Sequence, residues 1–278
     1  MRGARESAGG GKAAIARGPH RCGPLIAHPS PLTLLLLLTA CGGVSPLRKH
    51  AVVGRDSYVV FVADAPDGLG DLFGVRGDGG SVFQITFTPV REAKPALSPD
   101  GAMVAFLRAR RIQDTLTGTL WVMNLLTGAE RRLELPAGIE AEAVGWSRDG
   151  RWLIVSAGRF AYELAAPPER GEPRAIRPSE WHRVDSALNV FVGEPPFARV
   201  FPCEQALCSQ AAGGTPTSIA DHATDPARWG PDSLAYLSGG ELLVRPAGPG
   251  RARRVEWTGI PGNPRGLTAF PGAAALPP

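Results

Sequence analysis

Histidine is scarce in this sequence, and the short motifs that mark common hydrolases and nucleotide-binding sites are missing. Five of the 278 residues are histidine, and after residue 50 they are His182 and His222 alone. The patterns G-x-S-x-G, H-E-x-x-H and G-x-x-x-x-G-K-[ST] do not occur. Their absence argues against an α/β-hydrolase nucleophile, a zinc-protease helix and a nucleotide-binding loop. We therefore predict no catalytic set of these kinds, no metal and no cofactor.

Long sequence patterns with the helical period of 3.6 residues are lacking as well. Turn-forming residues are frequent instead, with 35 glycines and 27 prolines, and 44% of the residues are apolar. This composition is enough for a hydrophobic core that is interrupted by many turns. The sequence therefore predicts an all-β fold.

The excess of positive charge is confined to the beginning of the chain. The formal net charge is +4, and residues 1–40 hold five basic residues against a single glutamate. The rest of the chain carries as many acidic as basic side chains. It has no basic stripe interleaved with aromatic residues, so we expect no nucleic-acid partner.

An apolar run, PLTLLLLLTACGG, occupies residues 31–43. It is too short to cross a bilayer as a helix, which takes about 20 residues, but it has the length of a signal-peptide core and follows basic residues. Leu38, Thr39, Ala40 and Cys41 resemble the bacterial lipobox, in which an aliphatic residue and two small ones precede the lipid-bearing cysteine. The resemblance implies cleavage before Cys41 and lipidation of Cys41. An ordinary secretory signal with a chance cysteine is the alternative.

The lipobox predicts both the first segments of the chain and its location. We expect residues 1–40 to be a lipoprotein signal peptide and residues 41–50 to be a lipidated tether to the membrane. Gly42, not aspartate, follows the cysteine. In a host with two membranes, this resembles the sequence of lipoproteins that are sorted to the outer membrane. The expected location is the bacterial cell envelope, on the periplasmic side of the outer membrane in such a host. Stable anchoring takes more than one acyl chain, and the lipoprotein pathway supplies two or three.

Two cysteines remain in the body of the chain, Cys203 and Cys208, within PCEQALCSQA. Both lie in strand-like sequence around a tight turn, where their side chains can meet across a hairpin. An oxidising compartment favours a disulfide between them, and two free buried thiols are the alternative. Their spacing does not match a C-x-x-C redox motif, and no further ligands complete a zinc site.

One pattern, a turn followed by an apolar strand-like stretch, recurs along the chain. Ser98-Pro99-Asp100-Gly101 precedes AMVAFL, and variants of this turn begin at Ser147 and Gly230. Proline presets the φ angle at the second position of a type I turn, and serine and glycine suit its first and fourth positions. Units of about 40–45 residues with four short strands each are typical of β-propeller blades.

These repeats resemble those of a known family. LSPDGAMVAF (97–106) and LWVMNLLTGAERRL (120–133) resemble the repeat of TolB-type propellers. The resemblance covers residues 51–272 and implies the propeller fold, whereas a fold shared by many proteins says little about function. We expect no counterpart here of the amino-terminal α/β domain through which TolB-type proteins engage partners.

The two ends of the repeat region complement each other. The first unit begins at YVVFVAD (58–64), which has the sequence of a second strand, and the last unit, NPRGLTAFPG (263–272), has that of a first strand alone. Joining them completes one blade and removes exposed sheet edges. We predict five four-stranded blades over residues 51–272, closed by the C-terminal strand, with residues 273–278 as a tail. A sixth, degenerate blade is the alternative.

Two segments hold the side chains that we consider for binding. Residues 108–119 look like an extended loop between the second and third strands of a blade, with Arg108, Arg110 and Arg111. Such a loop suits an acidic ligand or partner, and a plain solvated loop is the alternative. Trp181, His182 and Arg183 belong to a long link before the fourth blade and can present an aromatic side chain to solvent.

Other groups of residues give weaker evidence of a functional site. Asp64, Asp67 and Asp71 are three and four residues apart, which is unlike the tight alternating spacing of calcium loops, so we interpret this segment as an ordinary loop. Tryptophans at repeat positions are expected to pack in the core; they are Trp121, Trp146, Trp152 and Trp229.

Three functional hypotheses follow. The leading one is a lipid-anchored extracytoplasmic propeller that binds an envelope protein or a small ligand at the mouth of its channel and catalyses nothing. The second is a propeller hydrolase or lyase for envelope glycan or peptide, in which the first residues to test are Asp185, His182, His222 and Arg228. The third is a relic that has lost its ligand.

Overall fold

The computed structural model of the chain describes residues 46–65, 69–112, 115–193, 198–246 and 250–275. The predicted signal peptide, the lipidation site Cys41 and Asp67 lie outside the described residues. All structural statements below concern the described ranges.

Strands dominate these ranges. In chain order the strands are β1 Tyr58–Asp64, β2 Gly70–Arg76, β3 Gly80–Ser81, β4 Phe83–Gln84, β5 Glu92–Leu97, β6 Met103–Ile112, β7 Thr115–Asn124, β8 Glu130–Leu133, β9 Ala143–Trp146, β10 Trp152–Ala157, β11 Phe160–Ala165, β12 Arg174–Ala175, β13 Val190–Phe191, β14 Arg199–Cys203, β15 Ala206–Gln210, β16 Thr217–Asp221, β17 Ala223–Trp229, β18 Ser233–Ser238, β19 Glu241–Pro246, β20 Arg253–Val255, β21 Trp257–Thr258 and β22 Arg265–Phe270.

Helical structure is limited. One α-helix, α1, spans Trp181–Leu188, and three 3-10 helices span Pro46–Lys49, Pro178–Glu180 and Ala273–Ala275. Within the described part of the chain, no helix has the length and apolar character needed to cross a membrane.

The strands form five four-stranded antiparallel sheets, which are the blades of a propeller ring. Blade 1 has the order β22-β1-β2-β4, blade 2 β5-β6-β7-β8, blade 3 β12-β11-β10-β9, blade 4 β13-β14-β15-β16 and blade 5 β17-β18-β19-β20. A short parallel pair, β3 with β21, links the outer parts of blades 1 and 5. The predicted all-β propeller with five blades is confirmed, and the six-blade alternative is wrong.

Blade 1 is completed by the last strand of the chain, as the sequence predicts. Tyr58 pairs with Phe270 and Val60 with Thr268, so β22 is the innermost strand of a sheet whose other strands come first in the chain. A hydrogen bond from the backbone N–H of Leu97 to Thr268 Oγ1, 2.9 Å long, joins the closing strand to blade 2. The ring therefore has no gap between its first and last strands.

Most of the core lies between neighbouring blades. Successive residues of β1 point to opposite faces of its sheet, so Val60 and Val62 pack toward blade 2 while Val59 and Phe61 pack toward blade 5. The second strands of blades 2 and 3 are buried on both faces, as predicted from VAFL and WLIV. Similar clusters join blade 2 to blade 3 and blade 4 to blade 5.

Helix α1 occupies the seam between blades 3 and 4. Val184 on this helix is buried with Ile154, Ala161 and Ile176 of blade 3. The carbonyl oxygen of Ala187 lies so close to Gly145 of β9 that a Cβ there would collide with it. Sequence analysis did not predict this helix, because eight residues without a capping side chain give a weak helical pattern.

The expectation of a loop at residues 108–119 is wrong. Residues 108–112 belong to β6 and residues 115–119 to β7, and the two strands pair with Arg108 opposite Thr119. Arg108, Arg110 and Arg111 therefore lie on a strand. Trp181, His182 and Arg183 lie in the link between blades 3 and 4, as expected, and they form the first turn of α1 there.

The N-terminal segment is also more ordered than a tether. Leu47 is fully buried in the core between blades 1 and 2, and the His50 ring stacks on Phe83 with a centroid distance of 4.4 Å. From Pro46 onward the chain is therefore part of the propeller body.

We expect Phe270→Ala to lower the free energy of unfolding by about 3–5 kcal/mol, because the ring of Phe270 is 1% exposed and packs beside Tyr58 in the closing strand pair. Phe160→Ala is the matched control, since Phe160 is 47% exposed, and it should change stability by about 0.5 kcal/mol or less. Urea unfolding followed by tryptophan fluorescence measures both. Equal losses for the two variants would contradict closure by β22.

Candidate functional site

A channel runs along the axis of the ring. It encloses a cavity of about 480 Å³, which is lined by residues of the five innermost strands, β22, β5, β9, β13 and β17, and by the last turn of α1. The volume lies in the range of ligand-binding cavities, about 300–1,000 Å³. The axis is therefore the main candidate for a binding site.

The mouth of the channel is built from the repeated turns. Pro99, Arg148, Pro231 and Pro271 occupy corresponding places in four blades, directly after the innermost strand, and all line the cavity. We call this end of the ring, where the innermost strand of each blade ends, the mouth face. The turn sequence thus sets the rim of the channel as well as the direction of the chain.

Side-chain hydrogen bonds stiffen these turns in the same way in blades 2 and 3. Ser98 Oγ donates to Asp100 at 2.6 Å and accepts the backbone N–H of Met103 at 2.9 Å. Ser147 Oγ likewise lies 2.6 Å from Asp149 and accepts the N–H of Trp152 at 2.9 Å. The hydrogen bond from Ser147 and the N–H of Arg151 hold the pKa of Asp149 below its ordinary value.

Bulges shape the channel wall behind the mouth. Lys94, Asp225 and Gly266 occupy equivalent positions in β5, β17 and β22, where two residues oppose one on the neighbouring strand. Their φ angles are +53°, +51° and +62°, which is the left-handed region. Each bulge turns the next residue into the cavity, so Pro95, Pro226 and Leu267 line it.

The lining contains few titratable groups. Among the described residues that line the cavity, the titratable side chains are Arg148 and Arg228. Arg228 donates from Nε to the carbonyl oxygen of Gly230 at 2.9 Å. Most other lining residues are proline, alanine, serine, leucine or valine, which offer contact surface and hydroxyl groups. The described part of the lining suits binding, and its side chains include no carboxylate or imidazole for proton transfer.

The residues proposed for the enzyme alternative are not gathered in the channel. Arg228 lines it, whereas His182 and Asp185 lie on α1 and His222 is exposed in the turn before β17; none of these three contributes to the described lining. Asp185 accepts a hydrogen bond from the side-chain amide of Asn189 at 3.1 Å.

Two of the three aspartates at 64–71 have partners within the fold. Asp64 pairs with Arg265 at 2.7 Å, and Asp71 accepts a hydrogen bond from Gln84 at 2.7 Å. No group of three or more acidic, histidine or cysteine side chains suited to a metal occurs among the residues that the structure describes.

A second cluster, which sequence analysis missed, lies between blades 1 and 2 at the end of the ring opposite the mouth. Glu92 begins β5 and is fully buried. Its carboxylate accepts hydrogen bonds from the hydroxyls of Thr86 and Thr88 and pairs with Arg108 at 3.3 Å. A glutamate that follows a loop gives no sequence signal of burial, because only the approach of the neighbouring blade encloses it.

Three of the predicted binding residues are engaged within the fold. Arg108 lies 4.0 Å above the Trp121 ring and also pairs with Glu130 at 2.5 Å. Arg110 pairs with Glu140 at 2.6 Å. Arg183 pairs with the buried carboxylate of Glu163.

The other three are exposed. Arg111 lies on the exposed side of β6. Trp181 is 39% exposed, and His182 is exposed beside it at the start of α1. The six residues lie on two separate elements and form no common surface with the channel lining.

Glu163 organises an ion network that holds α1 on blade 3. Arg174 donates to Glu163 at 2.6 Å and to Glu180 at 3.0 Å. Arg183 contacts the same two carboxylates. This network fixes the helix whose last turn forms part of the channel wall.

Cys203 and Cys208 form a disulfide with a Cα–Cα distance of 5.8 Å. Cys203 pairs in register with Ala206 and Cys208 with Phe201, so the bond crosses the β14–β15 hairpin diagonally. It joins the two central strands of blade 4.

No protein-family model matches this chain, and no curated protein matches it in sequence. Among solved structures, TolB from Acinetobacter baumannii is similar, with a TM-score of 0.53, 13% identity and coverage of 80% of this chain and 67% of that one. A structure of a nidogen/laminin complex is similar with a TM-score of 0.51, 7% identity and coverage of 77% and 98%. At these identities the likeness concerns the fold, and it agrees with the TolB-type propeller expected from the repeats.

The buried Glu92 predicts a pH dependence of stability. Burial raises the pKa of its carboxyl, although the hydrogen bonds from Thr86 and Thr88 and the charge of Arg108 act in the opposite direction. A group whose pKa rises on folding contributes stability that is complete below its unfolded pKa and is lost as pH rises through the folded pKa. We expect the difference in unfolding free energy, parent minus Glu92→Gln, to be constant below the ordinary pKa of glutamate, about 4, and to fall as the pH rises above it.

Urea unfolding at a series of pH values measures this difference. Glu134→Gln, at an exposed site, is the control and should follow the pH profile of the parent. A difference for Glu92→Gln that stays constant or grows with pH would show that Glu92 does not titrate in this way.

Proposed function

We propose that this chain is a lipid-anchored protein of the bacterial cell envelope whose propeller binds a segment of another envelope protein at the mouth of its channel, without catalysing a reaction. The observation that carries the proposal is the channel itself, about 480 Å³ in volume and lined by all five innermost strands. The anchor is supported by the lipobox that ends at Cys41.

The construction of the mouth favours a peptide segment of a protein as the ligand. Four blades contribute residues to the rim directly after their innermost strands. In two of these blades a serine–aspartate hydrogen bond holds the turn in place before any partner binds. A rim held in advance loses little conformational entropy on binding. Proline, alanine and serine side chains give a shallow polar and apolar contact surface of the kind that accepts a backbone with small side chains.

The chemistry of the lining supports binding over turnover. General acid–base catalysis needs a group that gains and loses a proton near the working pH, and the titratable side chains of the described lining are two arginines. Arginine stays protonated in proteins and serves to hold oxygen atoms of a ligand.

The anchor is tested first. Cys41→Ala should abolish incorporation of radioactive palmitate into the protein in growing bacteria, because the thiol of Cys41 is the expected site of the thioether. Cys22→Ala is the matched control, since Cys22 lies in the segment that is expected to be removed, and it should leave labelling unchanged. Equal labelling of the Cys41→Ala protein would contradict the anchor.

The binding surface is tested by photo-crosslinking of the full-length protein in living cells. p-Benzoyl-phenylalanine at Pro231, on the rim of the mouth, should give a discrete adduct with one partner protein. The same probe at Phe160, which is exposed in blade 3 at the end of the ring opposite the mouth, should not.

Two controls separate location from recognition. The Pro231 adduct should disappear in the Cys41→Ala background if anchoring brings the protein to its partner. Identical adducts from Pro231 and Phe160, or none from Pro231 in the anchored protein, would contradict binding at the mouth.

A further inference from the structure

The segment before the first blade is bound tightly to the ring. We call residues 46–57 the strap. Leu47 is fully buried between blades 1 and 2, His50 stacks on Phe83, and the backbone N–H of Ala51 donates to the Leu47 carbonyl at 2.9 Å. The position of Pro46, where the described chain begins, is therefore tied to the position of the blades.

The strap lies on the mouth face. Gly54 lies against the carbonyl oxygen of Asp100, in the turn that forms part of the rim. The N–H of Ala273, just beyond Pro271 of the rim, donates to the carbonyl of Arg55 at 3.0 Å. The strap and the entrance of the channel therefore share one side of the ring.

The exposed side chains of the strap are basic and apolar. Arg48 and Lys49 are exposed, and neither enters an ion pair in the part of the chain that the structure describes. Val52 is 51% exposed. Arg55 is exposed and pairs with Asp56 at 3.6 Å. The net positive charge of the strap therefore comes from Arg48 and Lys49.

The spacing along the sequence limits how far this surface can be from an anchored residue. Pro46 follows Cys41 by five residues, and a chain of that length spans at most about 18 Å. Two cations within reach of a membrane are attracted by anionic headgroups, and this attraction fades over a Debye length of about 8 Å at physiological ionic strength. A lipid on Cys41 therefore allows Arg48 and Lys49 to reach the surface, where they come within the range of this attraction.

We propose that the anchored propeller sits with its mouth face on an anionic membrane, with Arg48 and Lys49 on lipid headgroups and Val52 at the interface. This proposal rests on lipidation of Cys41, which is part of the proposed function. The proposal also limits which proteins can be the partner. A segment that enters the mouth must approach along the bilayer, so it belongs to a protein that is itself close to the membrane.

The test uses the full-length protein, purified with its acyl chains and reconstituted into vesicles of phosphatidylcholine with or without phosphatidylglycerol. A fluorophore is attached at Val52→Cys or, as the matched control, at Phe160→Cys, which is similarly exposed at the opposite end of the ring. Spin-labelled lipids in the vesicles quench a fluorophore that lies at the bilayer surface. We expect strong quenching at position 52 and little at position 160, and stronger quenching at 52 when phosphatidylglycerol is present.

The charge contribution is tested with Arg48→Gln combined with Lys49→Gln. Each basic residue near an anionic surface is worth about a fivefold change in the ratio of seated to unseated protein, so the pair should lower this ratio about 30-fold. The control removes Arg111 and Arg159, two exposed cations away from the mouth face, and should leave quenching at position 52 unchanged.

The outcomes separate this inference from the proposed function. Mass spectrometry of the purified protein shows first whether Cys41 is acylated. A protein without acyl chains contradicts the anchor and the seating together. An acylated protein with equal quenching at positions 52 and 160, or with quenching at 52 that does not respond to loss of Arg48 and Lys49, contradicts the seating alone.

Discussion

The pairing of β22 with β1 is the contact on which the rest of the structure depends. It brings Phe270 next to Tyr58, although these residues lie near opposite ends of the described sequence, and it gives blade 1 its innermost strand. Without it, β1 would be an open edge, and the apolar faces of β1 toward blades 2 and 5 would lose part of their cover. Because each blade is stabilised mainly by its two neighbours, closing the ring at this point completes the set of interfaces.

The five seams of the ring are not equal. Four are filled by apolar side chains of adjacent sheets, whereas the seam between blades 3 and 4 contains α1. The helix is held partly by packing of Val184 and partly by the pairs of Glu163 with Arg174 and Arg183. Breaking one partner of a buried ion pair usually costs more than the intact pair contributes. This seam therefore depends on electrostatics as well as on apolar packing.

In our proposal, binding at the mouth and attachment to the membrane involve the same side of the molecule. The rim is made by turns at the ends of the innermost strands, and the strap crosses that side to reach the gap between blades 1 and 2. Leu47 fills this gap as a core residue, so the strap is part of the fold. In our proposal, this arrangement ties the direction of the channel to the plane of the membrane.

The amino-acid sequence by itself determined the repeat, the all-β class, the turns at Ser98 and Ser147 and the closure of the ring, because each rests on local preferences: proline and glycine for turns, and apolar stretches for strands buried on both faces. Only the tertiary structure decided that Arg108 lies on Trp121 and pairs with buried Glu92, that residues 181–188 form a helix, and that Leu47 is a core residue. These features depend on which segments of distant sequence meet across a seam, and the charge or length of a segment does not reveal its neighbour.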